Sequence, residues 1–120
     1  MAFDWKEYLD LARFLQGQGG INYSQEAALR SAVSRAYYAA FCHARNHENN
    51  HKRFMPTGKS VDHRLLRDHF QNMGRINIAR DLDRLRGWRN MCDYHDSIPN
   101  ISMLLPFAIN QAQDIINGLP

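Results

Sequence analysis

Residues 82–95, LDRLRGWRNMCDYH, begin as a clear helix and organise the interpretation of the whole chain. Ile78, Leu82 and Leu85 recur at spacings of four and three residues, which places their apolar side chains on one helix face. The next position on this stripe is Arg89, because at about 100° per residue it lies within roughly 40° of the other three. An arginine cannot lose its charge, and burying it without a partner is costly. Arg89 is therefore predicted to be paired inside the fold, held at a subunit interface, or directed at an anion in a cleft.

His95 follows Arg89 by six residues and is the side-chain type that titrates near neutral pH without perturbation. Six residues span about 240° around a straight helix, so the two side chains share a face only if the helix breaks or if two subunits contribute one each. The turn-like sequence that follows Tyr94 predicts a break there. This pair is the first candidate for a functional site.

The hydrophobic pattern predicts no strands and an all-α, up-and-down bundle of about five helices in a single domain, residues 1–120. Residues 47–60 have no periodicity and are predicted to be the longest loop. The first predicted helix starts at Asp4, with Glu7 as its capping-box partner. The next three are predicted to run from Ser24 to about Asn46, from Ser60 to Gly74 and from Asn77 to Tyr94. The last runs through Leu105 to Gly118 and holds Pro106 in its first turn.

The second predicted helix is apolar on two faces, since Tyr38 and Cys42 lie behind its main stripe. Such a helix is either central in its bundle or packs against both its own bundle and a partner subunit. The pattern is thus a first indication of a homodimer.

Composition sets broad limits on the class of protein. A chain of 120 residues with 44% apolar and 22% charged side chains is ordinary for one soluble globular domain. Its net charge of +3 permits nucleic acid as a partner without requiring it. The two cysteines, Cys42 and Cys92, are expected to be reduced thiols of a cytoplasmic protein. No secretory leader pattern or bilayer-spanning stretch is present, so no membrane association is expected.

Residues 47–51, HENNH, match the HExxH pattern of zinc proteases. That chemistry needs both histidines on one rigid helical turn, a third ligand, and a buried glutamate as general base. Here asparagines fill the middle positions and basic residues flank a segment where the helix is expected to fray. A polar helix end is therefore the favoured interpretation of this segment, and no metal site is predicted. A zinc hydrolase built on His47 and His51 is kept as a less favoured alternative function.

Residues 57–60, TGKS, end like a phosphate-binding loop. The full pattern requires a glycine where Arg53 stands and a preceding β-strand in a parallel sheet. The sequence offers neither feature, so this interpretation is rejected.

Two segments resemble those of the small prokaryotic HEPN proteins, a family named for nucleotide binding in higher eukaryotes and prokaryotes. Residues 34–41, SRAYYAAF, are similar to the tyrosine-containing segment on the family's second helix. Residues 85–95, LRGWRNMCDYH, are similar to its signature of an arginine, four to six residues and a histidine, commonly with asparagine after the arginine. Together with the helix order, the resemblance covers nearly the whole chain.

The resemblance implies a HEPN-like bundle that forms a homodimer, here expected through helices two and four, and brings two Arg/His motifs together. Active members are endoribonucleases that need no metal or other cofactor, and they are often toxins or defence effectors. The implied reaction is cleavage of single-stranded RNA by its own 2′-hydroxyl. Arg89 would hold the scissile phosphate, His95 would move the protons or position the ribose, and Asn90 would orient the phosphate or the histidine.

The same resemblance implies an alternative, because many small members carry an Arg-x-x-x-Asp-Tyr pattern without the catalytic histidine. Arg89, Asp93 and Tyr94 match that pattern. Such a module would bind a nucleotide or a protein partner such as an antitoxin, with Arg89 anchoring a phosphate or pairing with Asp93. Arg35 would serve a salt bridge or the dimer contact. Ser97 stands where toxins silenced by a partner nucleotidyltransferase carry a tyrosine, which argues against that pairing.

Overall fold

Five helices account for most of the chain in the computed structural model, which describes residues 2–18 and 24–120. Within these ranges there is no strand, so the predicted all-α bundle of five helices is confirmed. The helices are α1 (Glu7–Leu15), α2 (Gln25–Asn50), α3 (Asp62–Asn72), α4 (Ile76–Tyr94) and α5 (Ile101–Asn117).

The longest helix, α2, lies at the centre of the bundle and packs against α1, α4 and α5, while α3 packs against α4. Small side chains on α2 allow its neighbours to approach closely, since helix separation depends on the residues at the contact. The alanines of α2 that have no exposed surface are Ala32, Ala36, Ala39, Ala40 and Ala44. The second apolar face of α2 is covered by the chain itself, because Cys42 is buried and Tyr38 is half-buried. A central position in the bundle therefore explains this face without a partner subunit.

The end of α2 differs from the prediction. Ser24 caps the helix as expected, its Oγ accepting a hydrogen bond from the Ala27 N–H at 3.1 Å. The helix then continues to Asn50, four residues beyond the predicted end at Asn46. Polar residues 47–50 remain helical because the Glu48 side chain is buried and hydrogen-bonded at the end of the helix.

The predicted starts of α1, α3 and α4 differ from the observed starts by a few residues. Asp4 does not begin α1; its Oδ1 accepts from the Lys6 N–H at 3.0 Å and forms a turn that precedes Glu7. α3 begins at Asp62 without a cap from Ser60, and α4 begins at Ile76 without a cap from Asn77. Gly74 stops α3 as predicted, with a φ of 81° that favours glycine.

Pro106 lies in the second turn of α5 rather than the first, because α5 begins at Ile101. Asn100 precedes the helix with a left-handed φ of 58°, and its carbonyl accepts from the N–H groups of Met103 and Leu104. Proline lacks an N–H, so the Ser102 carbonyl receives no bond from position 106. Burial of residues such as Leu105 and Ile115 holds α5 in place around it.

Both cysteines are free thiols in the interior, as expected. Burial raises the pKa of Cys92 to about 11 and also raises the pKa of Cys42. Neither residue is a reactive thiolate at neutral pH.

Across the described ranges, no helix is both long enough and apolar enough to cross a bilayer.

Candidate functional site

The apolar stripe of α4 is confirmed, and Arg89 continues it. Ile78, Leu82 and Leu85 are buried, and the Arg89 side chain keeps only 18% of its surface exposed. The predicted conflict between a charge and a core-facing position is therefore real. It is resolved by partners inside the same chain.

Each nitrogen of the Arg89 guanidinium lies beside an oxygen of its own chain. Nη2 donates to the Tyr38 hydroxyl at 2.8 Å and Nη1 donates to Asn90 Oδ1 at 3.1 Å. Nε lies 2.9 Å from Asp93 Oδ2, which makes an ion pair between residues one helical turn apart. The Nε–H does not point at that oxygen, so this contact is ionic without being a well-aligned hydrogen bond. The pairing of Arg89 with Asp93, one of the alternatives from the sequence, is thus present.

Residues 34–41 and 85–95, which carry the family resemblance, meet at this point. The Arg89 guanidinium lies 5.1 Å from the centre of the Tyr38 ring, and Arg35 lies 5.4 Å from the same ring. Ser34 links the two segments, since its Oγ donates to Asp93 Oδ2 at 3.5 Å and accepts from Arg35 Nη2 at 3.3 Å. The structure therefore brings the predicted residues Arg35, Arg89 and Asp93 into one connected cluster.

His95 is not part of that cluster. It follows the last residue of α4, so the helix ends where the sequence predicted, and its side chain is exposed. Within the described part of the chain, no hydrogen bond or ion pair joins the His95 imidazole to Arg89. Tyr94 is 72% exposed and touches the cluster only through its ring, whose centre lies 5.9 Å from the Arg89 guanidinium.

Arg30 holds the turn after α4 and was missed by the sequence analysis. Its Nη1 donates to the carbonyls of Cys92 at 3.1 Å and His95 at 2.6 Å, and its Nη2 donates to the Asp96 carbonyl at 3.2 Å. A cation at a helix C-terminus also complements the helix dipole. In the sequence, Arg30 resembles half of an ordinary surface pair with Glu26, which it also forms.

The HExxH segment builds a structural network instead of a metal site. Glu48 has no exposed surface, and its carboxylate accepts from Arg53 Nε and Nη2 at 3.1 and 2.9 Å. His47 Nδ1 and His69 Nε2 lie 2.7 and 2.8 Å from the same carboxylate. Burial would raise the pKa of Glu48, but these hydrogen bonds outweigh it and lower the pKa to about 2. Among residues 2–18 and 24–120, no group of three histidine, cysteine or carboxylate side chains is placed to hold a metal ion.

The TGKS segment also turns its donors inward. The N–H groups of Thr57 and Gly58 each donate to the Asp62 carboxylate at 2.9 Å, and the Thr57 hydroxyl donates to it at 2.7 Å. Burial would raise the pKa of Asp62, but these bonds hold it below its usual range. The backbone donors that a phosphate-binding loop would offer are therefore satisfied by the chain's own carboxylate.

A cleft of about 480 Å³ opens between α1, α2 and the segment from Gly58 to His63. Its walls combine aromatic rings with cationic side chains, including Arg35 and Tyr38 of the cluster described above. The sequence analysis missed His63, whose ring stacks on Phe41 with a centroid distance of 4.1 Å and whose Nδ1 is hydrogen-bonded to the Tyr37 hydroxyl. His63 lies 26 residues from Tyr37 in the sequence and on a different helix, so no spacing signal connects it with the aromatic residues of α2.

Comparison of the chain with protein-family models, with curated proteins and with solved structures finds no match.

Proposed function

We propose that this chain is a HEPN-type helical module of the non-cleaving form, which binds a nucleotide or RNA and uses Arg89 to hold its structure together. The observation that carries this proposal is the engagement of all three Arg89 nitrogens by Asp93, Asn90 and Tyr38. The Arg89–Asp93–Tyr94 order is also the pattern that the resemblance connects with members lacking a catalytic histidine.

A phosphate clamp needs guanidinium N–H groups that are free to meet the ligand. Here the bonds to the Tyr38 hydroxyl and the Asn90 amide oxygen fix the orientation of the guanidinium, and the Asp93 carboxylate beside Nε would repel a phosphate. Arg89 would therefore have to turn away from Asp93 and release these bonds before it could bind a phosphate in two places. The free energy of the released bonds would be subtracted from the binding free energy. Arg89 is better suited to fastening α4 to α2, since Tyr38 belongs to α2.

Binding of a nucleotide or RNA is supported by the side chains that surround this cluster. Arg35 lies over two aromatic rings, with its guanidinium carbon 4.8 Å from the Tyr8 centroid and 5.4 Å from the Tyr38 centroid. The net charge of the chain is +3. Cationic side chains beside aromatic rings suit ligands that combine phosphates with flat bases.

Metal-independent cleavage of single-stranded RNA is the second candidate, and the turn after α4 favours it. Arg30 binds the carbonyls of Cys92, His95 and Asp96, so the exposed imidazole is carried on a fixed backbone. In a homodimer, His95 of one subunit would approach Arg89 of the other, as the resemblance implies. Arg89 and Asn90 would then bind the phosphate after exchanging partners.

One experiment separates the two candidates. Fluorescently labelled single-stranded RNA is mixed with the purified chain in excess EDTA, and both anisotropy and product gels are recorded for wild type, Arg89→Ala and His95→Ala. We expect binding that weakens as salt rises, because phosphate contacts release counterions, and no cleavage. His95→Ala is expected to bind as the wild type does.

Two results would contradict the proposal. Cleavage that leaves 2′,3′-cyclic phosphate ends and is lost in both variants would establish the ribonuclease. A folded wild-type chain that binds neither RNA nor nucleotides would overturn the binding module.

A further inference from the structure

The cleft between α1, α2 and the start of α3 holds three cations that have no carboxylate partner. Arg35, Arg45 and Lys59 line it, and none of them forms an ion pair with any carboxylate in the described part of the chain. Most other arginines do, as Arg53 does with Glu48 and Arg30 with Glu26. Unpaired cations gathered at one concave surface favour an anion as the missing partner.

One carboxylate of the described residues, Asp62, lines this cleft against the three cations, so it offsets only part of their charge. Asp62 is buried and receives hydrogen bonds from the Thr57 N–H, the Thr57 hydroxyl and the Gly58 N–H. Its oxygens are therefore directed at the backbone of the preceding turn. The charge left to face a ligand in the cleft is positive.

Aromatic rings hold the two guanidinium groups in place and leave most of their N–H groups free. Arg35 lies over Tyr8, and Arg45 lies 5.8 Å from the Trp5 centroid and 5.9 Å from the Phe41 centroid. Each donates one side-chain hydrogen bond, Arg35 to Ser34 at 3.3 Å and Arg45 to Asn46 at 3.0 Å. A guanidinium carries five N–H groups, so donors remain for a ligand.

His63 adds a polar group that brings no fixed charge. Its Nδ1 is tied to the buried Tyr37 hydroxyl, so Nε2 is the ring nitrogen left to meet a ligand in the cleft that His63 lines. Burial lowers the pKa of His63, and the nearby Arg89, Arg86 and Arg67 lower it further. A neutral imidazole can hydrogen-bond to a ribose hydroxyl or a base edge.

We infer that this cleft binds a nucleoside monophosphate, either free or as the 5′-phosphorylated end of an RNA strand, with the phosphate at Arg45 and Lys59 and the base against the aromatic wall. The volume of about 480 Å³ suits one small ligand and lies within the usual range of ligand pockets. A phosphomonoester carries more charge than an internal phosphodiester, which matches a group of three cations. The inference rests on the proposed binding of a nucleotide or RNA and assigns the site and the ligand class.

Calorimetric titration of the full chain with adenosine and uridine 5′-monophosphate tests this site. We expect the monophosphates to bind at least about tenfold more tightly than the matching nucleosides, because charge-assisted hydrogen bonds to phosphate are lost in the nucleosides. Lys59→Gln and Arg45→Gln are each expected to weaken binding by about tenfold or more. Arg84→Gln, which removes the same charge from an exposed position on α4 that does not line the cleft, is expected to leave binding unchanged.

Two matched RNA strands, one with a 5′-phosphate and one with a 5′-hydroxyl, identify the source of the ligand. If the 5′-phosphorylated strand binds more tightly than both the 5′-hydroxyl strand and the free monophosphate, and Lys59→Gln removes that advantage, the ligand is the RNA end. If the free monophosphate binds more tightly than either strand, the ligand is the free nucleotide; either result supports the cleft. No binding of monophosphates, or an equal loss in Arg84→Gln, overturns the cleft. If RNA with either end binds equally and Lys59→Gln has no effect, the cleft is overturned while the binding module stands.

Discussion

Glu48 is a charged side chain with no exposed surface, and its environment is unusual for a residue inside an HExxH pattern. Arg53, His47 and His69 surround its carboxylate, and they come from α2, the following loop and α3. A zinc-protease glutamate must keep a free oxygen for water, and this one has both oxygens occupied. The residue therefore serves to connect three parts of the fold.

Replacing Glu48 by glutamine is expected to lower the free energy of unfolding at pH 7 by about 2 kcal/mol, since charged hydrogen bonds are lost in the interior. The folded pKa of about 2 lies below the ordinary value of 4.5, so the stability that Glu48 supplies is present above pH 4.5 and is lost as pH falls toward 2. Urea unfolding of wild type and Glu48→Gln at pH 7 and pH 3 measures both effects.

Asp68→Asn provides the control for that change, because it removes a carboxylate from an exposed ion pair with Arg64. Its expected effect is below about 0.5 kcal/mol. Equal stabilities of wild type and Glu48→Gln, or identical losses for both between pH 7 and pH 3, would show that the network contributes nothing.

For Arg89, the sequence predicted correctly that a charged side chain would face the core, but it left open which residues would pair with that charge. Helical spacing alone placed a cation on the apolar stripe of α4. One partner of that cation is Tyr38, which is 51 residues away and lies on another helix, so spacing could not predict it. Only the Asp93 partner, one turn along α4, could be proposed from spacing.

At the scale of elements, the turn between α4 and α5 depends on one side chain from α2. The last carbonyls of a helix have no partners within it, and Arg30 meets those at the end of α4 and just beyond. Since this turn carries His95 and leads to Asn100, whose φ is 58°, its position also sets where α5 begins.

Arg30→Gln is therefore expected to loosen residues 93–100 while the rest of the bundle stays folded. Loss of a charged donor to three carbonyls should cost about 2 kcal/mol. Hydrogen exchange followed by mass spectrometry should show faster exchange in that segment.

The comparison variant is Glu26→Gln, which removes only the exposed partner of Arg30 and should change exchange very little. If both variants exchange alike across residues 93–100, Arg30 does not hold the turn.

Helix ends were the least accurate predictions at this scale, and each error has a local cause. α2 continues past Asn46 because the buried Glu48 side chain keeps residues 47–50 helical, although their polar composition alone predicts a loop. α3 starts after Ser60 because Asp62 satisfies the preceding turn. In both cases a side chain is engaged by partners that a helix-cap pattern does not include.

At the scale of the whole molecule, the homodimer stays a prediction, and the structure changes the basis for it. The second face of α2 is covered within the chain by its own neighbours, so that face no longer argues for a partner. What remains is the resemblance, together with Tyr94, an aromatic residue of α4 that is 72% exposed. Phe107 is 61% exposed on α5, a helix that the predicted interface does not include.

We expect light scattering coupled to size-exclusion chromatography to give twice the 14.0 kDa mass of one chain. Tyr94→Asp should convert the dimer to monomers if α4 forms the interface, because a charge would be buried without a partner. Phe107→Asp places the same charge on α5 and should leave the dimer intact. A mass of one chain for the wild type at high concentration would rule out the dimer, and loss of the dimer only in Phe107→Asp would move the interface to α5.

The sequence by itself determined the helical class, the five segments, the apolar stripe of α4 and the core-facing position of Arg89, since all of these follow from local periodicity. It also predicted the end of α4 correctly. The TGKS and HExxH motifs could be rejected as functional sites from the sequence, because those motifs need surroundings that the flanking residues exclude. Only the tertiary structure decided which side chains meet: Tyr38 with Arg89, Arg30 with the α4 turn, His69 with Glu48, and the cations of the cleft. The physical reason is that these contacts join residues remote in sequence, whose positions are set by the packing of whole helices.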